Sequence, residues 1–167
     1  MANQQIIRNG QIESDTWKLI KANEEGKYEI PADGDIIVPL TLWQEQSERL
    51  TQREGQLGIW LNSDESPESI AEAVEHFQII AINFPVFMDG RGYSYARLLR
   101  ERYHFQGEIR AIGDVMQDQV FYMRRCGIDS FAIKAGKDIE EAINGLSPFR
   151  QSYQAAADQP EPLFRRR

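Results

Sequence analysis

The residues best suited to chemistry lie in a glycine-rich turn that follows an apolar, strand-like run. The turn contains Asp89, Gly90, Arg91, Gly92 and Ser94. Its two glycines let a ligand approach the backbone closely, backbone amides at a helix N-terminus point at an anion, and the arginine supplies a countercharge. The pattern predicts a site for a small oxyanion or for the phosphate of a cofactor. A tight glycine turn with a solvated arginine is the alternative interpretation.

Four neighbouring residues extend this candidate anion site. Gly113 and Asp114 form a second strand-to-helix turn, and Arg110 lies in the strand before it. Arg97 falls in the first turn of the predicted next helix, where the helix dipole disfavours a cation unless an anion compensates it. The glycine spacing fits the dinucleotide-binding fingerprint poorly, because three residues rather than two precede its last small residue.

The remaining reactive side chains are isolated. His76 and His104 have no metal-ligating partner at a useful spacing, so no metal site is predicted. Cys126, the single cysteine, follows two arginines but lies at a predicted helix C-terminus, whose dipole raises a thiol pKa. We expect it to be a core or helix-end residue. These residues identify no cofactor.

Two segments carry features of a protein-binding surface. Asp118, Phe121 and Arg125 share the outer face of a predicted helix, and an aromatic flanked by opposite charges suits a protein contact. Alternatively, Phe121 is ordinary core. Near the end of the chain, Phe164 and Arg165 give an apolar anchor followed by cations. This end would dock on an acidic partner, fold back on the acidic N-terminal half, or serve as a solubilising tail.

Composition predicts a globular protein of one ordinary domain. The 167 residues are 41% hydrophobic and 27% charged, and no apolar run approaches the roughly 18 residues of a membrane helix. The start of the sequence lacks a signal-peptide pattern, and a lone cysteine is compatible with a reducing compartment. We therefore expect a cytoplasmic protein without a membrane partner.

Charge is distributed unevenly along the chain. Residues 1–83 carry 6 Lys and Arg against 15 Asp and Glu, whereas residues 84–167 carry 13 against 11. Eleven of those 13 later bases are arginine, whose planar fork matches oxyanions. The net charge of −7 disfavours nucleic acid as a partner, because an acidic protein repels a polyanion. Arginines that merely decorate solvated helices are the alternative interpretation.

The pattern of apolar residues predicts three regions: a β-rich lead-in over 1–34, an α/β domain over 35–149 and an extended tail over 150–167. Strand candidates in the lead-in are Gln4–Arg8 and Thr16–Ile20. The domain contains five strand-then-helix units, with strands at 35–39, 57–61, 78–84, 108–112 and 130–134, and helices at 41–53, 66–77, 94–103, 114–126 and 138–145.

Repeated units of this kind predict a mostly parallel sheet flanked by helices. An open sheet is favoured over a partial βα-barrel, because five units are too few to close an eight-stranded barrel. The partial barrel remains the alternative. In either case, ligands of parallel sheets bind at the carboxyl ends of strands. The residues delivered there are Asn62–Glu65, Asn83–Ser94, Gly113 with Asp114, and Lys134–Gly136.

Several motifs resemble a known bacterial family. They are the turn Phe87–Arg97, the stretch Gly107–Val115, the pair Asp118 and Gln119, and Arg125 with Gly127–Phe131. Over residues 36–149, the chain resembles the bacterial domain-of-unknown-function 934 family. Its members are commonly labelled probable oxidoreductases or accessory proteins of assimilatory sulfite reduction. No established catalytic residues come with the family.

The resemblance implies a cytoplasmic role in sulfur assimilation, and two hypotheses follow. In the first, the protein is a non-catalytic accessory protein that binds sulfite reductase or a related component, with oxyanion binding at the turn as a second activity. In the second, it is a small oxidoreductase that binds a phosphate-bearing cofactor at Gly90–Ser94. The absence of a complete cofactor motif and of cluster-binding cysteines favours the first.

Overall fold

A computed structural model describes residues 4–86, 88–146 and 154–166 of the chain. Within them, eight strands form one sheet. In chain order, the strands are β1 Gln5–Arg8, β2 Gln11–Ser14, β3 Lys18–Leu19, β4 Ile36–Pro39, β5 Leu57–Leu61, β6 Ile79–Phe84, β7 Glu108–Gly113 and β8 Ser130–Phe131. The helices are α1 Leu40–Gln52, α2 Arg91–Glu101, α3 Val120–Arg125 and α4 Ile139–Gly145, with 3₁₀ helices at Pro67–His76 and Leu163–Arg165.

The strand order is β2-β1-β8-β7-β6-β5-β4-β3, so strands β3 to β8 lie side by side in the order of the sequence. All pairs from β3 to β8 are parallel, whereas β1 runs antiparallel to both β2 and β8. The predicted mostly parallel sheet with a β-rich N-terminal start is therefore confirmed.

The covalent connection between β2 and β3 requires the sheet to curl. Those two strands are its opposite edges, which in a flat sheet would stand about 34 Å apart at the usual strand spacing of about 4.8 Å. The chain from Ser14 to Lys18 spans at most about 14 Å when fully extended. The edges must therefore approach each other, and the sheet forms a half-barrel. The partial barrel, the alternative from sequence, describes this shape better than an open sheet.

The four α-helices and the 3₁₀ helix Pro67–His76 cover the convex face of the half-barrel. Successive parallel neighbours joined by right-handed crossovers place every connecting helix on the same side. One apolar cluster accordingly joins that side of the strands to the four α-helices and the 3₁₀ helix Pro67–His76; its members include Ile59, Ile80, Ile109, Leu42, Ile70, Leu99, Val120 and Ala142. A smaller cluster, formed by Ile37, Ile79, Ala81 and Ile112, lies on the concave face.

The short segment that joins β2 to β3, which we call the strap (residues 15–17), packs across the concave face. Trp17 contacts the smaller apolar cluster. Both carboxylate oxygens of Asp15 accept hydrogen bonds from Arg110 Nη1, each at 3.0 Å. Arg110 is 1% exposed, and its Nη2 lies 2.8 Å from Glu108 Oε1. The lead-in thus fills part of the half-barrel interior.

The helix-end signals predicted at Ser66, Asp138 and Gly127 are confirmed. Ser66 precedes Pro67 and caps the 3₁₀ helix, and the Asp138 carboxylate accepts a hydrogen bond from the Glu140 amide at 2.8 Å. Gly127 has a φ of +107° after α3, as expected of a helix stop. Asn9 and Gly10, both at positive φ, form the β1–β2 hairpin turn.

Several predicted elements differ from the structure. Strand β2 was not predicted, and β8 covers 130–131 instead of 130–134. The helix expected over 94–103 begins three residues earlier, at Arg91, and the helix expected over 114–126 covers only Val120–Arg125. Asp114 is therefore not a helix cap; its carboxylate instead lies 2.6 Å from Lys134 Nζ.

Part of the tail packs against α3. The Asp158 carboxylate lies 2.7 Å from Arg125 Nη1, and the Ala157 amide donates to the Arg125 carbonyl at 3.1 Å. These contacts place residues 154–158 on a basic helix end. The predicted boundary between residues 149 and 150, together with Phe87 and Arg167, lies outside the described residues.

Candidate functional site

The carboxyl ends of β3 to β7 surround a pocket of about 430 Å³. Its apolar wall comes from Leu19, Pro39, Trp60, Ile112 and the aromatic ring of Tyr28, and its polar lining includes Lys21, Thr41, Asn62, Glu65 and Asn83, with Gly113 and Ala22 completing it. Ligands of parallel βα structures bind at this edge, because the loops that follow the strands converge there. Asn62, Glu65, Asn83 and Gly113 all belong to the strand-end residues expected at this edge.

Two asparagines form the polar centre of the pocket lining. Asn83 Nδ2 donates a hydrogen bond of 2.9 Å to Asn62 Oδ1, which links the ends of β5 and β6. Glu65 Oε2 accepts from the Asn62 backbone amide at 2.7 Å, so the loop after β5 folds back on the strand end. These contacts hold both amides in place without a ligand.

The aromatic residues of the pocket are also held by hydrogen bonds. Trp60 Nε1 donates to the Ile20 carbonyl at 3.1 Å, which ties β5 to the chain after β3. The Tyr28 hydroxyl lies 2.9 Å from Thr41 Oγ1 at the start of α1. The aromatic wall is therefore built by elements that are distant in sequence.

Gly113 shapes the pocket through its missing side chain. Its φ is +92°, and a Cβ there would lie 2.4 Å from Asn83 Oδ1 and 2.6 Å from the Phe84 carbonyl. Only glycine both adopts this φ readily and leaves room for these two oxygens, since other L-residues carry a Cβ and rarely adopt that φ. Gly113 is the one residue of the predicted anion site that lines this pocket in the described chain.

The glycine-rich turn lies outside the pocket lining and is organised by an ion pair. The Asp89 carboxylate accepts from Arg91 Nε at 3.0 Å and from Nη2 at 2.7 Å, and Arg91 Nη2 also donates to Ser63 Oγ at 3.0 Å. Hydrogen bonds from Arg91 hold the pKa of the Asp89 carboxyl well below its usual range. An incoming anion would therefore share Arg91 with Asp89.

The second glycine of the turn has a packing role. Gly92 is buried in the first turn of α2, where a Cβ would lie 2.7 Å from the Phe84 ring and 2.9 Å from Ile82 Cγ2. Its lack of a side chain lets α2 rest directly on β6. At Gly90, by contrast, an added Cβ would make only an ordinary van der Waals contact, 3.8 Å from Tyr93 Cδ2.

The other predicted anion-site residues are separated from the turn. Arg97 lies inside α2 rather than in its first turn, and its Nη2 is 3.1 Å from Glu101 Oε1, one helical turn later. Ser94 and Arg97 line a shallow surface groove on that helix. Arg110 is buried beneath the strap, and Asp114 pairs with Lys134. The structure therefore does not bring the nine predicted residues into one cluster.

The predicted partner-binding residues differ in exposure. Asp118 is exposed, Phe121 is half-buried, and the Arg125 side chain is 10% exposed in its ion pair with Asp158. Near the C-terminus, Phe164 is 64% exposed, and the Arg165 guanidinium stands 5.8 Å from the centre of its ring. Phe164 thus remains an apolar group in contact with solvent.

Exposed apolar groups that sequence reasoning missed lie in the loop before α2 and beside its first turn. They are Val86 and Met88 in the loop and Tyr122 on α3, with the partly exposed Tyr93 of α2, and we call these four residues the rim patch. Met88 is 90% exposed, Val86 58% and Tyr122 56%. The rings of Phe84, Tyr93 and Tyr122 follow one another at 5.4 and 5.0 Å, so the two tyrosines are continuous with the core through Phe84. Apolar residues at 86 and 88 inside a loop were the signal available in the sequence.

In the described chain, no group of three or more His, Cys, Asp and Glu is arranged to hold a metal ion. Burial raises the pKa of the Cys126 thiol, which lies at the end of α3. None of the helices described here combines the length and apolar character needed to cross a membrane.

Comparison with known proteins gives one family. The sequence model of the family described as "Bacterial protein of unknown function (DUF934)" matches residues 58–164, which include both strand-to-helix turns and most of the parallel sheet. No curated protein and no solved structure matches the chain.

Proposed function

We propose, from the premise that the chain belongs to the bacterial DUF934 family of unknown function, that it is an accessory protein of assimilatory sulfite reduction. In this proposal it acts in the cytoplasm by contacting sulfite reductase or a related sulfur-assimilation component. The motifs in Phe87–Arg97 and Gly107–Val115, on which the resemblance rests, support the pathway. The rim patch supports the mode of action.

The observation that carries the proposal is the exposure of the rim patch. Met88 and Val86 project from a loop into solvent, although burying such side chains would be favourable by about 1.5–3 kcal/mol each. The Asp89–Arg91 ion pair, with its contact to Ser63, fixes the end of the same loop. Anchoring at this end lowers the conformational entropy that is lost on binding, which favours a protein contact.

A binding measurement with purified sulfite reductase tests the proposal. The double variant Val86→Ser, Met88→Ser removes the most exposed apolar groups and leaves the core unchanged. We expect its affinity for the partner to fall at least tenfold in biolayer interferometry. Gln44→Ser, Glu45→Ser is the control, because it makes the same number of changes to serine at two exposed positions of α1, away from the proposed contact. Absence of binding by the parent protein, or equal affinity of parent and double variant, would contradict the proposal.

The alternative is a small oxidoreductase that binds a phosphate-bearing cofactor at the Gly90–Ser94 turn. It is favoured by the Arg91 side chain, which is 57% exposed, and by Gly90, where an added Cβ would meet no atom closer than 3.8 Å. A cofactor phosphate would compete with Asp89 for the guanidinium. Arg91→Ala separates the two functions: it should abolish turnover if the protein is an enzyme, and should only weaken the rim-patch contact, through loss of the Asp89–Arg91 pair that anchors the loop, if it is an accessory protein.

Growth of a gene-deletion strain tests the pathway. We expect the strain to grow poorly with sulfate or sulfite as the sulfur source and normally with sulfide, since sulfide is the product of sulfite reduction. Complementation with the parent gene should restore growth, whereas the Val86→Ser, Met88→Ser gene should not. Equal growth of the deletion strain on all three sulfur sources would exclude the proposed role.

A further inference from the structure

We infer that the pocket at the carboxyl ends of β3 to β7 binds a planar heterocycle that carries a lactam or carboxamide group and an anionic substituent. The inference concerns a second site and does not rest on the proposed function. The residues of the rim patch and of the Asp89–Arg91 ion pair do not belong to the described lining of this pocket.

The asparagine pair determines the hydrogen-bonding character of the ligand. One bond joins Asn83 Nδ2 to Asn62 Oδ1. Among the described residues, this leaves the Asn62 amide nitrogen as a donor and the Asn83 carbonyl oxygen as an acceptor. Exchanging the two amide orientations leaves the same combination, one NH₂ and one C=O. A lactam or carboxamide presents a carbonyl beside an N–H and is complementary to that combination.

The apolar wall indicates a flat ligand. Trp60 and Tyr28 contribute aromatic surface. Leu19, Pro39 and Ile112, which belong to β3, β4 and β7, complete the apolar wall. Aromatic side chains stabilise planar rings by stacking and by burial of apolar area. A volume of about 430 Å³ lies within the range of small-molecule pockets, about 300–1,000 Å³.

Charged groups in the lining indicate the substituent. Lys21 is exposed and contributes an ammonium group that attracts an anion such as a phosphate. Glu65 uses Oε2 for the Asn62 amide, and its second oxygen accepts from a hydroxyl or N–H group. Together these groups match a nucleotide-like molecule: a ring for the aromatic wall, hydroxyls for Glu65 and a phosphate for Lys21.

Gly113 supports a functional explanation for this arrangement. Any larger residue would place a Cβ 2.4 Å from Asn83 Oδ1, the acceptor of the proposed site. A Cβ at this position would therefore displace the Asn83 side chain, so glycine preserves the position of the acceptor. The same residue ends β7 at its left-handed φ, so backbone geometry and the placement of the acceptor depend on one position.

Isothermal titration of the full chain with four probes tests the inference. Uridine monophosphate and flavin mononucleotide carry lactam rings, nicotinamide mononucleotide carries a carboxamide, and ribose 5-phosphate carries the anion without a ring. We expect at least one ring-bearing probe to bind below 1 mM and more tightly than ribose 5-phosphate. The probe that binds best identifies the ring. Failure of all three, or equal binding of ribose 5-phosphate, would overturn the inference.

Two variants and one control place the binding in the pocket. Asn83→Ala removes the acceptor and should weaken the bound probe at least about fivefold, as expected for losing one to two hydrogen bonds. Tyr28→Leu should weaken it by a similar factor through loss of the aromatic wall. Asn144→Ala makes the same chemical change at an exposed position on α4 and should leave affinity unchanged.

Thermal melting distinguishes lost binding from lost folding. The two pocket variants should melt within a few degrees of the parent in the absence of ligand, and the parent alone should be stabilised by saturating probe. If Asn83→Ala proves unfolded, Tyr28→Leu still decides. Unchanged affinity in a folded pocket variant would overturn the inference. The Val86→Ser, Met88→Ser variant should bind the probe normally, so failure of the rim-patch proposal leaves this test unaffected.

Discussion

Arg110→Met is expected to destabilise the fold because it leaves a buried carboxylate without its partner. The Arg110 side chain is 2% exposed, and that of Asp15 is 14% exposed. Methionine preserves most of the aliphatic volume and removes the guanidinium that donates to both oxygens of Asp15. The perturbation therefore tests whether Arg110 serves to hold the strap rather than to bind an anion.

The magnitude follows from the two contacts that are lost. Removing one member of a buried ion pair costs about 3–5 kcal/mol, because the other charge remains desolvated. Glu108 keeps a second partner, since its Oε2 lies 3.0 Å from Arg8 Nε. The uncompensated charge is then mainly that of Asp15, and we expect the lower end, about 3 kcal/mol. For a domain of this size, that corresponds to a fall in Tm of about 6–12 °C.

Urea unfolding followed by far-UV circular dichroism measures the effect. Arg97→Met is the matched control, because its ion pair with Glu101 is exposed and should contribute at most about 0.5 kcal/mol. Asp15→Asn combined with Arg110→Met should lose less than the two single variants together, since neither charge is then stranded. A loss for Arg110→Met no larger than for Arg97→Met would refute the reasoning.

Three further predictions concern other parts of the fold. Gly92→Ala should cost about 1–3 kcal/mol, measured by thermal melting, because its Cβ meets the Phe84 ring. Arg91 lowers the pKa of the Asp89 carboxyl from its ordinary value of 3.8. The ionised carboxylate therefore stabilises the fold above that pH, and this contribution is lost as the pH falls. The difference in stability between the parent and Asp89→Asn should accordingly shrink below pH 4. Cys126, whose thiol pKa is raised by burial, should react with iodoacetamide at pH 8 far more slowly in the native than in the unfolded protein.

Local signals in the sequence were sufficient for much of the secondary structure. Ser66 before Pro67, Asp138 and Gly127 marked helix ends correctly, because caps and stops depend on the dihedral angles and side chain of a few adjacent residues. The predicted start of α2 was three residues too late. A glycine usually indicates a loop, and the sequence does not show the strand against which this glycine packs. For Gly92, tertiary packing overrode local propensity.

The candidate sites depend on contacts that the sequence does not display. The expectation that strand ends would gather Asn62, Asn83 and Gly113 at one edge followed from the βα pattern, and all three line the pocket. Tyr28 and Lys21 reach the same pocket from the lead-in, because β3 pairs with β4. No local sequence pattern predicts that β3 pairs with β4. The rim patch was not predicted for a similar reason, because the exposure of an apolar loop residue depends on which other residues pack against it.

Residue pattern alone determined that the chain is a series of βα units with parallel strands, because helix and strand periods and helix caps are local properties of the polypeptide. Tertiary structure determined the curl of the sheet and which charged side chains are buried. Arg110 and Arg91 look alike in the sequence, yet one is buried under the strap and the other lies at the surface with Asp89. Burial, which sets whether a charge must be paired within the fold, arises from the joining of distant segments.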